Sequence, residues 1–211
     1  VATSRTLLSL DLVGVFVFAL SGGLAAVRAR LDIFGVIVVA AITALGGGVL
    51  RDTLLAANPP YAFRHWPYLV VPCAAGIATF LWHPQIARLR PLVLMLDAAG
   101  LGLFTVTATQ RSLDTGLGWI AAMVIGIVTG IGGGVIRDVL LRQIPVVLQK
   151  EIYAVAALVG AGLVCLGHAV GPWPSPWLIA PAMVIFGVRL VSLRRHWSAP
   201  IAPHLEDQAG G

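Results

Sequence analysis

The sequence predicts an all-α, polytopic membrane protein of seven transmembrane helices, built as two three-helix repeats of opposite orientation plus one C-terminal helix. Three observations lead there. Of 211 residues, 58% are hydrophobic and 11% charged, with a mean hydropathy of +0.93, against roughly 25% charged residues in a soluble domain. The charges gather between apolar runs long enough to cross a hydrocarbon layer of about 30 Å. Finally, sliding the chain on itself by 86 residues superposes its two halves, as when Asp11 falls on Asp97.

The apolar runs come in order at Leu7 to Val27, Ile33 to Leu50, Trp66 to Trp82, Pro91 to Thr109, Leu117 to Ile136, Ile152 to Val170 and Trp177 to Leu193. The first begins without a basic stretch and small-residue cleavage site, so it reads as a retained helix and not a signal peptide. The third is short and carries Pro67 and Pro72, which predicts a bent or tilted span. All six tryptophans fall at or just beyond the ends of these runs, at headgroup level. In the last run Arg189 reads as a side chain that snorkels toward the cytoplasmic end. The tail 198–211 is polar, contains Pro200 and Pro203, and reads as disordered.

An odd number of crossings separates the termini and sorts the loops into two sets. Arg28, Arg30, Arg88, Arg90, Arg142, Lys150, Arg194 and Arg195 lie on the side of the C-terminus, and only Arg5, Arg64 and Arg111 on the other. The positive-inside rule then places the C-terminus in the cytoplasm of a bacterial inner membrane and the N-terminus outside. These basic residues form no continuous face, which argues against nucleic acid as a partner despite a net charge of +5. Cys73 and Cys165 lie in apolar runs without a paired motif and read as small buried residues.

The repeat is the strongest signal. Gly14 falls on Gly100, Phe18 on Phe104, Thr43 on Thr129 and Pro59 on Pro145, and Gly46-Gly47-Gly48-Val-Leu-Arg51-Asp52 falls on Gly132-Gly133-Gly134-Val-Ile-Arg137-Asp138. Three spans per repeat force the second to enter from the opposite face, the inverted architecture common in transporters. The implied units are 1–86, 87–172, a seventh helix at 173–197 and the tail.

Three glycines in a row weaken a helix by about 1 kcal/mol each relative to alanine. One reading is close helix packing through small residues. The other is a break in the second and fifth spans, with freed carbonyls facing a polar path. Thr43 and Thr129 precede the triplets on nearly the same face, where their hydroxyls either line that path or bond their own helix backbone. A rise of about 1.5 Å per residue puts Arg51 level with Asp11 near the outer boundary, and Arg137 level with Asp97 near the inner one. Two clusters follow: Asp11, Arg51 and Asp52 outside, and Asp97, Arg137 and Asp138 inside. Charges at such depth pair with one another or face a wet cavity, so ion-pair locks and a pore mouth are both open readings. The glycine runs lack the lysine of a phosphate-binding loop and the spacing of a dinucleotide fingerprint. The five histidines have no ligand spacing and no nucleophile meets a base in a recognisable motif, so neither catalysis, cofactor nor metal is expected.

The duplicated glycine-triplet and Arg-Asp motif, with an acidic residue in the first helix of each half, resembles the prokaryotic trimeric intracellular cation (TRIC) channel family over about Leu7 to Leu193. The resemblance implies a homotrimer with a pore in each protomer, permeable to potassium and other monovalent cations, with helices two and five kinked at the glycines. It also implies contact with membrane lipids. The same bacterial family is described as resembling glycine transporters. A cation channel, a carrier for a small zwitterion and a membrane scaffold are therefore the three functional expectations.

Overall fold

The computed structural model describes residues 5–86, 90–149, 152–171 and 175–195, and the tail 198–211 lies outside them. Among the described residues all regular structure is helical: α1 (Arg5–Arg28), α2 (Ile33–Leu54), the short α3 (Tyr61–Arg64), α4 (Pro67–Ile86), α5 (Arg90–Asp114), α6 (Trp119–Leu140), the short α7 (Val146–Gln149), α8 (Ile152–Val170) and α9 (Ile179–Arg195). Of these, α1, α2, α5, α6 and α8 are long and apolar enough to cross a membrane. The apolar part of α4, Pro67–Trp82, and the 17-residue α9 fall short of that length. The third predicted span does form one continuous helix. Pro67 occupies its first position, where a missing N–H costs nothing, and Pro72 lies in its second turn.

The inward face of α1 carries Leu7, Asp11, Gly14, Phe18 and Ser21 at helical spacing, all buried, so polar groups share the core stripe. That stripe packs against α5. Asp11 meets Thr107 and Arg111, Gly14 meets Phe104, and Ser21 meets the Val93 carbonyl, so rising numbers on α1 meet falling numbers on α5. The two helices are antiparallel. Phe18 and Phe104, 86 positions apart, stack at their middle with ring centroids 5.2 Å apart.

Small residues set the approach of the helices, as expected where lipid removes any hydrophobic drive between them. A side chain at Gly22 of α1 would overlap Thr43 of α2, and in the second half the roles reverse, with Gly126 and Gly130 of α6 yielding to Thr109 and Thr105 of α5. Helix α9 packs on α5 and α8, where Gly102 faces the Ala182 carbonyl and Gly160 faces Ile185. The first half has no equivalent of it.

The exits of four helices share one design. Arg30, Ala56, Gly116 and Arg142 all adopt positive φ, at 60°, 54°, 84° and 55°. At each, two backbone N–H groups turn back to carbonyls of the helix just ended, such as Ala57 to Asp52 and Gln143 to Asp138. These positions match at 86 residues, but α3 and α4 match α7 and α8 at 85. Tyr61 thus pairs with Val146 and Tyr68 with Tyr153, and the second half is one residue shorter just after Pro145.

Candidate functional site

Helix α2 runs without interruption through Gly46–Gly48, and α6 through Gly132–Gly134. This corrects the expected break. A carbonyl freed in an apolar medium loses its partner outright, which outweighs the intrinsic weakness of glycine, and the helices stay wound. The triplets serve close approach instead. A side chain at Gly47 would collide with the Thr129 carbonyl oxygen, and one at Gly133 with the Thr43 carbonyl oxygen. Nor do the two threonines offer hydroxyls to a path: both are buried, and each donates to its own helix at 2.6 Å, Thr43 to Val39 and Thr129 to Ile125.

The charges assemble as two clusters on either side of this crossing. In one, Arg51 donates through Nε to Asp52 Oδ1 at 2.8 Å and through Nη1 to Asp11 Oδ1 at 3.4 Å. Asp11 also accepts from the Tyr68 hydroxyl at 2.8 Å, and from Thr107 and Arg111 at 3.4 Å each. The free oxygen of Asp52 accepts from the Tyr61 amide at 2.7 Å and so anchors α3. In the other cluster, Arg137 reaches Asp97 at 2.8 Å, Asp138 at 2.8 Å and the Ser21 hydroxyl at 2.7 Å, while Asp138 accepts from the Val146 amide at 3.0 Å. All six predicted charges are buried, none more than 4% exposed.

Each cluster is completed from the opposite half. Thr107 of α5 reaches Asp11, and Ser21 of α1, its equivalent 86 residues earlier, reaches Arg137. Ser21 lies ten residues beyond Asp11, which separates the clusters by roughly 15 Å along α1 at about 1.5 Å per residue. Each cluster also lines a cavity. One, between Asp11, Gly48, Arg51, Tyr68 and Phe104, is narrow, with a volume of about 10 Å³, room for a single water. The other, between Asp97, Gly134, Arg137, Asp138 and Tyr153, is pinched too narrow to admit a water. The glycine crossing and the Phe18–Phe104 stack stand between them.

Two further arginines join the clusters. Arg111, whose position groups it with the loop charges, turns inward from the last turn of α5 to Asp11, with its guanidinium 5.2 Å from the centre of the Tyr61 ring. Arg189 does not snorkel. It is fully buried, its guanidinium 4.5 Å from the centre of the Tyr153 ring, and its side-chain nitrogens have no hydrogen-bond partner among the described residues. Helix α9 is held by close contacts at Gly102 and Gly160, which keeps its inner face from reaching water. Among the described residues no three His, Cys, Asp or Glu side chains come together to hold a metal.

A helical membrane protein whose two halves each bury an aspartate, an arginine and a second aspartate beside a glycine crossing is a narrow class. A family profile described as glycine transporter matches residues 8–84 and again 94–169. A membrane protein of Streptomyces coelicolor is 43% identical over 97% of this chain and 94% of its own length, and an inner membrane protein of Escherichia coli is 37% identical over 90% and 93%. Among solved structures, the TRIC trimeric intracellular cation channel orthologue from Rhodobacter sphaeroides superposes with a TM-score of 0.86 at 35% identity, over 92% of this chain and all of that one. The chain belongs to this family of bacterial membrane proteins, the prokaryotic TRIC channel family.

Proposed function

We propose that the chain is a monovalent-cation channel, permeable to potassium, with one pore through each protomer of a homotrimer in the bacterial inner membrane. The observation that carries this reading is the pair of buried charge clusters, each beside a narrow cavity, at opposite ends of one helix crossing. Solved relatives described as TRIC cation channels support it. The shorter α4 and α9 cross the bilayer along with the five longer helices, as two inverted repeats and a final helix, with the N-terminus outside. Asp11, Arg51 and Asp52 then form the outer mouth, and Asp97, Arg137 and Asp138 the inner one.

The pore joins the two cavities through the α2–α6 crossing, and the present arrangement is its shut state. Carbonyls of Thr43 and Thr129 seat directly on Gly133 and Gly47, and no ion passes until the helices part. Bending at the triplets, where helix stiffness is lowest, is the opening motion. Lipid acyl chains and neighbouring protomers cover the apolar outer surface, which includes Phe34, Trp66 and Ile120.

Purified protein in planar bilayers tests this. Unitary potassium currents are the expected result. Saturable glycine counterflow in proteoliposomes without currents would overturn the channel reading in favour of a carrier, and inertness in both assays would leave a scaffold.

A further inference from the structure

Each repeated motif is unbalanced. Asp11, Arg51 and Asp52 hold two carboxylates and one guanidinium, as do Asp97, Arg137 and Asp138, so each set alone leaves one negative charge. The repeat supplies no further cation, yet each cluster has acquired one from a different source. In the first it is Arg111, which falls on Ala25 in the other half and bonds Asp11 directly. In the second it is Arg189, from the helix outside the repeat. Its guanidinium lies against the face of Tyr153, a ring that lines the same cavity as Asp97, Arg137 and Asp138.

Two arginines at unrelated positions thus give one electrostatic result, a neutral cluster at each end. Packing alone does not require it. A fully buried arginine with no hydrogen-bonded partner among the described residues is costly, and methionine or leucine fills such a site at lower cost. We infer that Arg111 and Arg189 are the residues that set cation attraction at the two mouths, each cancelling the negative charge that its Asp-Arg-Asp motif would otherwise present to entering ions. This rests on the channel reading above.

The consequence is a current-voltage relation whose shape each arginine controls from its own end. A mouth with a net negative charge concentrates cations at its entrance and raises flow from that side. Arg111→Gln raises inward current and Arg189→Gln raises outward current. The expected asymmetry between equal and opposite potentials is about threefold, the effect of one unit charge felt from about 6 Å through a water-like medium. The lysine variants, which keep the charge, keep the wild-type shape. Pairing Arg189→Gln with Asp97→Asn, or Arg111→Gln with Asp11→Asn, restores neutrality and straightens the relation again.

The test is single-channel recording in inside-out patches from cells expressing the full chain, where every copy has one orientation, in symmetric potassium. Opposite rectification in the two glutamine variants, reversed by the lysine and the neutralised double variants, supports the inference. Linear currents in both variants, or rectification of the same polarity, overturn it. If Arg189→Gln alone does not assemble, the double variant with Asp97→Asn takes its place beside Arg111→Gln, and a linear Arg111→Gln current is enough to reject the inference. Absence of current from the wild-type chain removes the channel reading itself, a separate outcome.

Discussion

Asp11 and Asp97 stand at equivalent positions but are held differently. Asp97 receives Arg137 at 2.8 Å, whereas Asp11 meets Arg51 at 3.4 Å and shares itself among Tyr68, Thr107 and Arg111. Removing one partner of a buried ion pair costs about 3–5 kcal/mol, because the other charge is left uncompensated. Arg137→Ala is expected to cost that much in apparent stability, and Arg51→Ala less, since Asp11 keeps three other donors. Unfolding in detergent measures the order, and equal or reversed losses contradict it. The six motif charges were legible because duplication picked them out. Arg111 and Arg189 were not, since one falls on alanine in the other half and the other lies outside the repeat. Tyr68 and Tyr153 escaped because an offset of 86 misses a pair that matches at 85, and an alignment allowing a single gap after Pro145 would have found them.

At the scale of elements, the helix limits follow the apolar runs closely, with α2 beginning at Ile33 and α8 covering Ile152–Val170 as read from sequence. What sequence did not decide was whether a glycine triplet breaks a helix or admits a neighbour. That depends on the helix opposite, which no local pattern shows. Here the neighbour's carbonyl occupies the space, so Gly47→Ala or Gly133→Ala must push α2 and α6 apart. Each is expected to cost about 1–3 kcal/mol as overpacking and to raise basal potassium leak into proteoliposomes. Unchanged stability and unchanged leak would show that the crossing is loose. The helix exits give an independent prediction. Ala56 and Arg142 adopt a conformation that glycine adopts freely and that Gly116 already fills at another exit. Ala56→Gly and Arg142→Gly are expected to stabilise by about 0.5–1 kcal/mol, and Gly116→Ala to destabilise by about 1–2 kcal/mol. A lowered midpoint for the first two in thermal melts would reject the strain argument.

At the scale of the whole molecule, two facing half-sites are closed by one contact. Helix α1 lends Ser21 to the cluster around Arg137, α5 lends Thr107 to the cluster around Asp11, and the middle of the bundle seals on glycine, threonine and two stacked phenylalanines. The overall plan was readable because a membrane admits few backbone solutions and because the chain repeats itself. The state of the pore was not, since open and shut arrangements share every residue and differ only in how two helices lie across each other. A reversible lock on that crossing is therefore the most direct test. A side chain at Gly46 would come within 2.8 Å of the Ile136 δ carbon, so Gly46→Cys with Ile136→Cys places two thiols face to face in a chain first cleared of Cys73 and Cys165. If ions pass between α2 and α6, oxidation abolishes unitary potassium currents and a reductant restores them. Currents that persist unchanged while the cross-link is shown complete by mass would mean that the path lies elsewhere.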